Sequence, residues 1–328
     1  MKNLILVFTI ICIVLAANET SFSQNSFDLT INDFGLYVGN APRARGLRIN
    51  WSDSNLDRIS GINLTLWKPK KNPGGIVQGI SVGLLTPSAD VLKGINIGGL
   101  GVSADSELSG LNIGLVGVGS GGDISGISIG LIGLGSERDV KGIALGGIGA
   151  GAGRDFRGIA FGGVGIGAGR STKGILIGLV GAGAGENMTG IQVGGVGVGA
   201  GNDIKGISIG GIGVGAGNDI SGLSFGLVGV GAGRDIKGIT IGGFGVASER
   251  DIIGLTFSAG RIKVNRIGEL RGLSFSSYNQ IKGRQTGLAI GIVNYAYDLR
   301  GVQLGILNVV STNPGWRKIL PIINWNFD

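Results

Sequence analysis

The stretch "DIKGISIGGIGVGAGN" at residues 203–218 is followed at once by a close copy, "DISGLSFGLVGVGAGR", at residues 219–234. The phrase recurs every 16 residues through the middle of the chain, and looser copies flank this regular array. Positions 1–16 of a unit are counted here from its first "GI"-type glycine. Seventeen such glycines start the units: Gly46, Gly61, Gly79, Gly94, Gly110, Gly126, Gly142, Gly158, Gly174, Gly190, Gly206, Gly222, Gly238, Gly254, Gly272, Gly287 and Gly301. A fixed short period of this kind predicts a stacked repeat architecture.

Apolar and small residues alternate within each unit, which is the pattern of short β-strands. The phase of the alternation changes across Gly210 and Gly211, and glycine tolerates the backbone angles of a corner. A second corner is expected at residues 217–219, where turn-forming residues cluster. If the chain bends at both places, all the apolar side chains of a unit can face one interior. In the unit that starts at Gly206 these are Ile207, Ile209, Ile212, Val214, Ala216 and Ile220.

The pattern predicts an all-β repeat protein, a β-solenoid of about seventeen coils of ~16 residues with irregular capping ends. We divide it into an N-terminal cap at 24–45, the glycine-rich array at 46–271, and divergent repeats with a C-terminal cap at 272–328. Bulky residues support caps at the ends, since terminal coils must shield an open core and a strand edge. Every tryptophan and tyrosine lies outside residues 68–277: Trp51, Trp67, Trp316, Trp325, Tyr37, Tyr278, Tyr295 and Tyr297.

A transmembrane β-barrel is the alternative fold. The mean hydropathy is positive, at +0.38, and the chain closes on the apolar and aromatic stretch "ILPIINWNFD" at 319–328. Membrane barrels, however, carry aromatic girdles at both interfaces, with short turns at one end and longer loops at the other. The central array has neither tryptophan nor tyrosine, and its connections are uniform. These features favour the solenoid.

Residues 1–23 have the pattern of a signal peptide, with Lys2 ahead of an apolar run from Leu4 to Ala17. The run is short for a membrane-spanning helix. Small residues at Ser21 and Ser23 predict cleavage before Gln24. The chain's single cysteine, Cys12, would then be removed, so the mature protein would have no disulfide.

The terminal repeats resemble a family of uncharacterised bacterial surface-repeat proteins, whose units read Gly-[Ile/Val]-x-[Ile/Leu]-Gly-Leu-x-Asn. The residues that carry the resemblance are "GLAIGIVNYAYDLR" at 287–300, "GVQLGILNV" at 301–309 and the closing "LPIINWNF". The resemblance implies export to the envelope or surface of a Gram-negative-type bacterium, and implies no activity or functional residue. Central units depart from it by having glycine at the asparagine position. Asn294 and Asn308 either form an internal hydrogen-bonded stack or are ordinary turn-tolerant residues.

The charged residues recur with the repeat. Position 14 is aspartate in many units, and arginine or lysine stands nearby at positions 13 and 16. The position-14 residues are Asp123, Asp139, Asp155, Asp203, Asp219, Asp235 and Asp251. We interpret them as a solvated edge that neutralises itself. Two alternatives are a calcium site, because "GAGNDI" resembles a Gly-Gly-x-Gly-x-Asp repeat, and a basic edge that binds acidic glycans or a membrane surface.

The sequence offers little for catalysis, because histidine is absent and the acids mostly belong to one repeated position. We therefore predict no enzyme activity and no catalytic, cofactor-binding or metal-binding residues. Nucleic acid is not an expected partner, since no aromatic residues interleave with the basic ones. We expect a non-enzymatic exported protein of the cell surface or outer membrane, with a structural or adhesive role. Envelope components or acidic surface glycans are candidate partners, and membrane association stays open. The alternative is an integral outer-membrane barrel or pore.

Overall fold

A computed structural model describes residues 26–69, 73–265 and 267–327, so the expected signal peptide lies outside the described residues. The chain divides into two compact parts, one ending at Leu131 and the other beginning at Ile132. The fold is an all-β solenoid with about 15 turns, close to the expected seventeen. The predicted fold class is confirmed.

The first part begins with an antiparallel hairpin of β1 and β2, whose turn residues Asn32 and Asp33 have φ angles of 52° and 63°. From β2 onward the strands pair in parallel with the corresponding strand of the next coil. The strands are β1 (Ser26–Ile31), β2 (Phe34–Gly39), β3 (Arg43–Asn50), β4 (Arg58–Thr65), β5 (Ile76–Gly83), β6 (Ser88–Gly98), β7 (Gly101–Gly114), β8 (Gly117–Ser120) and β9 (Asp123–Gly130).

The second part repeats a longer and a shorter strand in each coil. Its strands are β10 (Gly133–Ser136), β11 (Val140–Gly146), β12 (Gly149–Ala152), β13 (Phe156–Gly162), β14 (Gly165–Ala168), β15 (Thr172–Gly178), β16 (Gly181–Ala184), β17 (Met188–Gly194), β18 (Gly197–Ala200), β19 (Ile204–Gly210), β20 (Gly213–Ala216), β21 (Ile220–Gly226), β22 (Gly229–Ala232), β23 (Ile236–Gly242), β24 (Gly245–Ser248), β25 (Ile252–Val264), β26 (Glu269–Val310) and β27 (Ile319–Asn326). Strand β26 runs through the last coils, and β27 pairs with it antiparallel, which covers the open strand edge.

The register between coils is parallel and constant. Ile204 pairs with Ile220, and Val214 pairs with Val230, each shifted by one 16-residue unit. This is the pairing of a stacked coil, and it contradicts the alternative of an antiparallel membrane barrel.

The glycine at position 1 is required by the backbone in every coil. All seventeen unit-starting glycines have φ between 99° and 140°. In Gly206, for example, φ is 117°, and an added Cβ would lie 2.1 Å from the carbonyl oxygen of Gly190 in the preceding coil. The constant glycine therefore combines a left-handed backbone with close stacking between coils.

The second corner lies at residues 217–219 as predicted, and the first lies at Gly211 and Ile212, one residue later than predicted. The predicted interior is partly wrong. Val214 and Ile220 are buried as expected, but Ile207, Ile209 and Ile212 are 38%, 37% and 53% exposed. The apolar residues at positions 2, 4 and 7 therefore lie on the outside of the coil.

The phase of the alternation in the first strand explains this difference. Side chains two residues apart share a face of a strand, so Ile204, Ser208 and Gly210 of β19 all face inward. Near the first corner the two strands of a coil approach closely, and a Cβ on Gly210 would lie 2.0 Å from the carbonyl oxygen of Gly213. Glycine is therefore needed at position 5, and the alternation of the strand places Ile207 and Ile209 on the outer face.

Position 3 makes a buried column that is often polar, and polar side chains inside the coils hydrogen-bond to one another. In the first part, Asn96 donates to Asn112 at 2.7 Å, and Asn112 donates to Ser128 at 3.1 Å. In the second part, Asn279 donates to Asn294 at 2.7 Å, and Asn294 donates to Asn308 at 2.8 Å. Of the two alternatives for Asn294 and Asn308, the structure shows the hydrogen-bonded stack. Such bonds satisfy polar groups that burial would otherwise leave without partners.

The N-terminal coils of the first part hold a buried ion pair. The guanidinium of Arg48 is wholly buried and donates to the Asp53 carboxylate at 2.6 Å and to Asn63 at 2.7 Å. Thr65 donates to the other Asp53 oxygen at 2.7 Å. A buried charge is tolerated when it is paired and hydrogen-bonded in this way.

Candidate interaction surfaces

The outward rows at positions 2, 4, 6 and 7 form a surface that we call the apolar face. In the second part, the position-2 side chains stack in register along the first strand of each coil. The exposed members at position 2 are Ile143, Ile159, Ile191, Ile207, Leu223 and Ile239, between 36% and 45% exposed. At position 7 they are Ile148, Val164, Val180, Val196, Ile212, Val228 and Phe244.

The apolar face is held by the backbone at the first corner. The amide of Ile212 donates to the carbonyl of Val196 at 2.6 Å, and the amide of Val228 donates to that of Ile212 at 2.8 Å. This ladder fixes the spacing between successive corner side chains. Seven coils at about 4.8 Å, each about five residues wide, give a strip of roughly 500 Å².

The first part carries its own apolar face with the same register. Its exposed members at positions 2 and 4 are Ile62, Ile80, Ile95, Ile97 and Ile127, and its corner members are Leu66, Trp67, Leu84, Leu100, Leu115, Val116 and Leu131. Soluble monomers rarely expose contiguous apolar patches beyond a few hundred Å², and larger ones mark interaction sites.

A row of basic side chains borders the apolar face. Position 16 points outward on the same strand as positions 2 and 4, and in the second part it carries Lys141, Arg157, Lys173, Lys205 and Lys237. The outer face of this strand therefore changes from basic to apolar within three residues of each coil. Basic residues beside an exposed apolar surface are typical of proteins that lie on anionic membranes.

The opposite edge, at positions 13 and 14, forms what we call the charged edge. The carboxylate of Asp235 accepts hydrogen bonds from Arg250 Nε and Nη2 at 2.7 and 2.6 Å, and Lys237 Nζ lies 2.9 Å away. Asp155 accepts from Arg170 in the same two-pronged way, at 2.8 and 2.6 Å. The backbone amide of Asp235 donates to Asp219 Oδ1 at 3.3 Å, which extends the ladder to the neighbouring coil.

These contacts lower the pKa values of three of the aspartates. The hydrogen bonds from Arg250 hold the pKa of the Asp235 carboxyl well below its usual range, although burial opposes the shift. The hydrogen bonds from Arg170 and Arg234 likewise lower the pKa of Asp155 and Asp219. The aspartates are thus stabilised as anions within the edge.

The predicted column of aspartates is confirmed, and the basic residues of the neighbouring coils neutralise it. Because each arginine occupies the carboxylate of the preceding coil, the geometry favours an ion-pair ladder over a calcium site. Within the described ranges, no group of three or more acidic, histidine or cysteine side chains is placed to hold a metal ion. No helix in the described part of the chain has the length and apolar character to cross a bilayer.

Comparisons of the chain with family models, with curated proteins and with solved structures gave no match. The resemblance to bacterial surface-repeat proteins therefore stays a prediction, and the surfaces themselves carry the functional argument.

The charged edge was predicted from the sequence, but the apolar face was not. Its signal is present at the first corner, where position 6 is leucine in several units and position 7 is apolar, as in Leu179 with Val180 and Leu227 with Val228. Adjacent residues of an extended chain cannot both face one interior. Such pairs therefore indicate an exposed apolar corner.

Proposed function

We propose that this protein is a non-enzymatic, exported structural protein that adheres to a membrane of the cell envelope along its apolar face. The observation that carries the proposal is the row of exposed aliphatic side chains at position 7, represented by Val196, Ile212 and Val228. These residues are ordered by the coil and contribute little to its interior. A partner surface that lies against these side chains would explain why they recur in successive units.

The basic row favours an anionic lipid surface as the occupant. The position-16 lysines stand beside the apolar rows, so insertion of the aliphatic side chains would bring the ammonium groups to the level of lipid phosphates. Lys205 and Lys237, which pair with Asp203 and Asp235 in the free chain, would then exchange a carboxylate for a phosphate. The charged edge would remain in water, because its carboxylates and guanidinium groups are already paired.

Export to the envelope rests on the signal-peptide pattern of residues 1–23 and on the family resemblance. Fractionation of cells that produce the full chain tests this part. We expect the protein in the envelope fraction, released by alkaline carbonate or urea, and retained in the cytoplasm when residues 1–23 are deleted. Recovery of the full chain in the cytoplasm would contradict export.

Adhesion is tested with the mature chain and vesicles of phosphatidylethanolamine and phosphatidylglycerol. The triple variant Val196→Ser, Ile212→Ser, Val228→Ser removes apolar area from three successive corners. Each of these side chains is half-exposed, so together they should lower vesicle binding by roughly tenfold or more. Circular dichroism should be unchanged, because the substituted side chains lie outside the coil.

The matched control places three serines on the other strand: Gly199→Ser, Gly215→Ser and Gly231→Ser. An added Cβ at these positions meets no atom closer than 4.0 Å, so the control should fold and bind vesicles as the parent does. Equal loss of binding in both triple variants would contradict the assignment to the apolar face. If the parent ignores vesicles but self-associates, and the corner variant alone stays monomeric, the face pairs copies of the chain and the membrane proposal is wrong.

A further inference from the structure

The outer face of the second strand of each coil changes character near the C-terminal end. In the regular coils this face is bare glycine at positions 8 and 10, as in Gly213 and Gly215. In register with Gly245 stand first Arg261 and then Tyr278. In register with Ala247 stand Lys263 and then Gln280. Beyond the regular coils, side chains therefore replace a flat backbone surface.

These side chains enclose a cleft of about 580 Å³, which we call the tyrosine cleft. Its volume is typical of sites that bind small ligands. It is lined by Tyr278, Gln280, Lys282, Tyr295, Tyr297 and Ser311. Three of the chain's four tyrosines line it.

Two of the three rings are held in place before any ligand arrives. The guanidinium of Arg261 lies over the ring of Tyr278, 5.6 Å from its centroid. The hydroxyl of Ser311 donates to the phenol oxygen of Tyr295 at 3.2 Å. Tyr297 is 56% exposed. Tyrosine offers a large, rigid contact area at low entropic cost, and pre-ordering reduces that cost further.

One polar atom of the cleft lacks a partner. The side-chain oxygen of Gln280 is covered by protein and accepts no hydrogen bond from the described residues. A buried acceptor without a donor calls for an explanation. A ligand rich in hydroxyl groups would supply the donor after a small rotation of this amide.

The charge of the cleft is positive. Lys282 is the charged member of the lining, and Lys263 stands beside Gln280 in register. The nearby carboxylate of Asp298 is paired with Arg284 at 2.7 Å and does not line the cleft. An anionic ligand is therefore favoured over a neutral one.

We propose that the tyrosine cleft binds an acidic oligosaccharide. The apolar ring faces of sugars pack on tyrosine rings, while sugar hydroxyls bond to the amide of Gln280 and to the phenol groups. A sugar carboxylate or sulfate pairs with Lys282. The site is separate from the apolar face, and the proposal stands whether or not the chain lies on a membrane.

Calorimetry with the mature chain tests the proposal, using oligogalacturonate of about six residues, maltohexaose, and inorganic sulfate at equal ionic strength. We expect oligogalacturonate to bind, maltohexaose to bind at least tenfold more weakly, and sulfate to bind negligibly. Tyr295→Ala should lower oligogalacturonate affinity at least tenfold. Tyr295→Phe keeps the ring and should retain most of the affinity, which separates loss of stacking from a loss of folding.

The matched charge control compares Lys282→Gln with Lys237→Gln, which removes the same charge from the position-16 row. Only Lys282→Gln should reduce the preference for the acidic sugar. No binding of oligogalacturonate by the parent, undiminished binding by a folded Tyr295→Ala variant, or equal losses in the two lysine variants would each overturn the proposal. Tighter binding of sulfate than of the sugar would also overturn it, in favour of a simple anion site.

Discussion

The two corners of a coil in the second part share a backbone arrangement but differ in their side chains. At the first corner, the amide of Ile212 donates to the preceding coil at 2.6 Å, and at the second corner that of Asn218 does so at 2.8 Å. The first corner then exposes aliphatic side chains, while the second pairs Asp219 with Arg234. Because the backbone ladder stacks both corners equally well, the exposed apolar residues of the first corner are not needed for stacking. The proposed adhesion to a membrane rests on this difference between the corners.

Removing a first corner should disturb the folding of the stacked coils more than any of the substitutions below. Deletion of residues 206–213 takes away most of β19 and the first corner that follows it, so that coil cannot close. We expect the protein to lose cooperative unfolding in thermal melts. Deletion of residues 190–221 removes two whole units and joins Thr189 to Gly222 in the natural register.

The two-unit deletion should melt within a few degrees of the parent, since each coil contacts only its neighbours. If the two-unit deletion fails to fold while the eight-residue deletion folds, the 16-residue coil is not the folding unit.

Alanine substitutions of two isoleucines in one coil test which of the two side chains faces the interior. Ile220→Ala removes a side chain that is 1% exposed next to the second corner, and should destabilise the fold by about 2–5 kcal/mol. Ile212→Ala changes a residue that is 53% exposed at the first corner, and should cost no more than about 0.5 kcal/mol. Urea denaturation of both variants measures the difference. Similar costs would show that the first corner is packed against protein within the chain.

Acid tests the pairing at the second corner. The pKa values of Asp219 and Asp235 are lowered in the folded state, whereas an unfolded aspartate titrates near about 3.9. Their contribution to stability is therefore complete above about pH 5, and is lost as the pH falls below about 4 through the folded-state pKa. Asp235→Asn should cost about 1.5–3 kcal/mol at pH 7 and much less at pH 2. A cost that is independent of pH would contradict an ionic role for this carboxylate.

Alanine substitutions of two glycines should give the smallest changes in stability, and the two changes should have opposite signs. Gly206→Ala places a Cβ at a φ of 117° and against a neighbouring carbonyl, and should destabilise by about 1–3 kcal/mol. Gly215→Ala adds a Cβ with no atom within 4 Å at an ordinary backbone angle, and should stabilise by about 0.4–1 kcal/mol. Melting temperatures measure both, and a destabilising Gly215→Ala would indicate that the bare strand face is covered.

Much of the fold follows from the sequence, because period and register are local properties. The 16-residue spacing predicts parallel stacking and the column of aspartates, and the structure bears these out. The glycines that need a positive φ were expected at the first corner, but they lie at position 1, as in Gly206. The assignment of the interior failed because it assumed that every apolar residue is buried. The phase of the first strand decides that question: Ser208 faces inward, so Ile207 and Ile209 on either side of it face outward.

The candidate sites also differ in how far the sequence predicts them. The charged edge could be predicted, since opposite charges recur at neighbouring positions of one period. The tyrosine cleft could not, because Tyr278, Tyr295 and Ser311 come together only when three coils are stacked. The sequence does give one hint: at Arg261 the glycine of position 8 is replaced for the first time after the regular units.

The constant register also has a genetic consequence. Because each regular coil meets its neighbours through the same pairs of positions, gain or loss of any whole number of 16-codon units preserves the backbone pairing of the remaining coils. Unequal recombination between such repeats would yield foldable chains of different length in a single step. The length of the apolar face could then vary between strains without any new interface having to evolve.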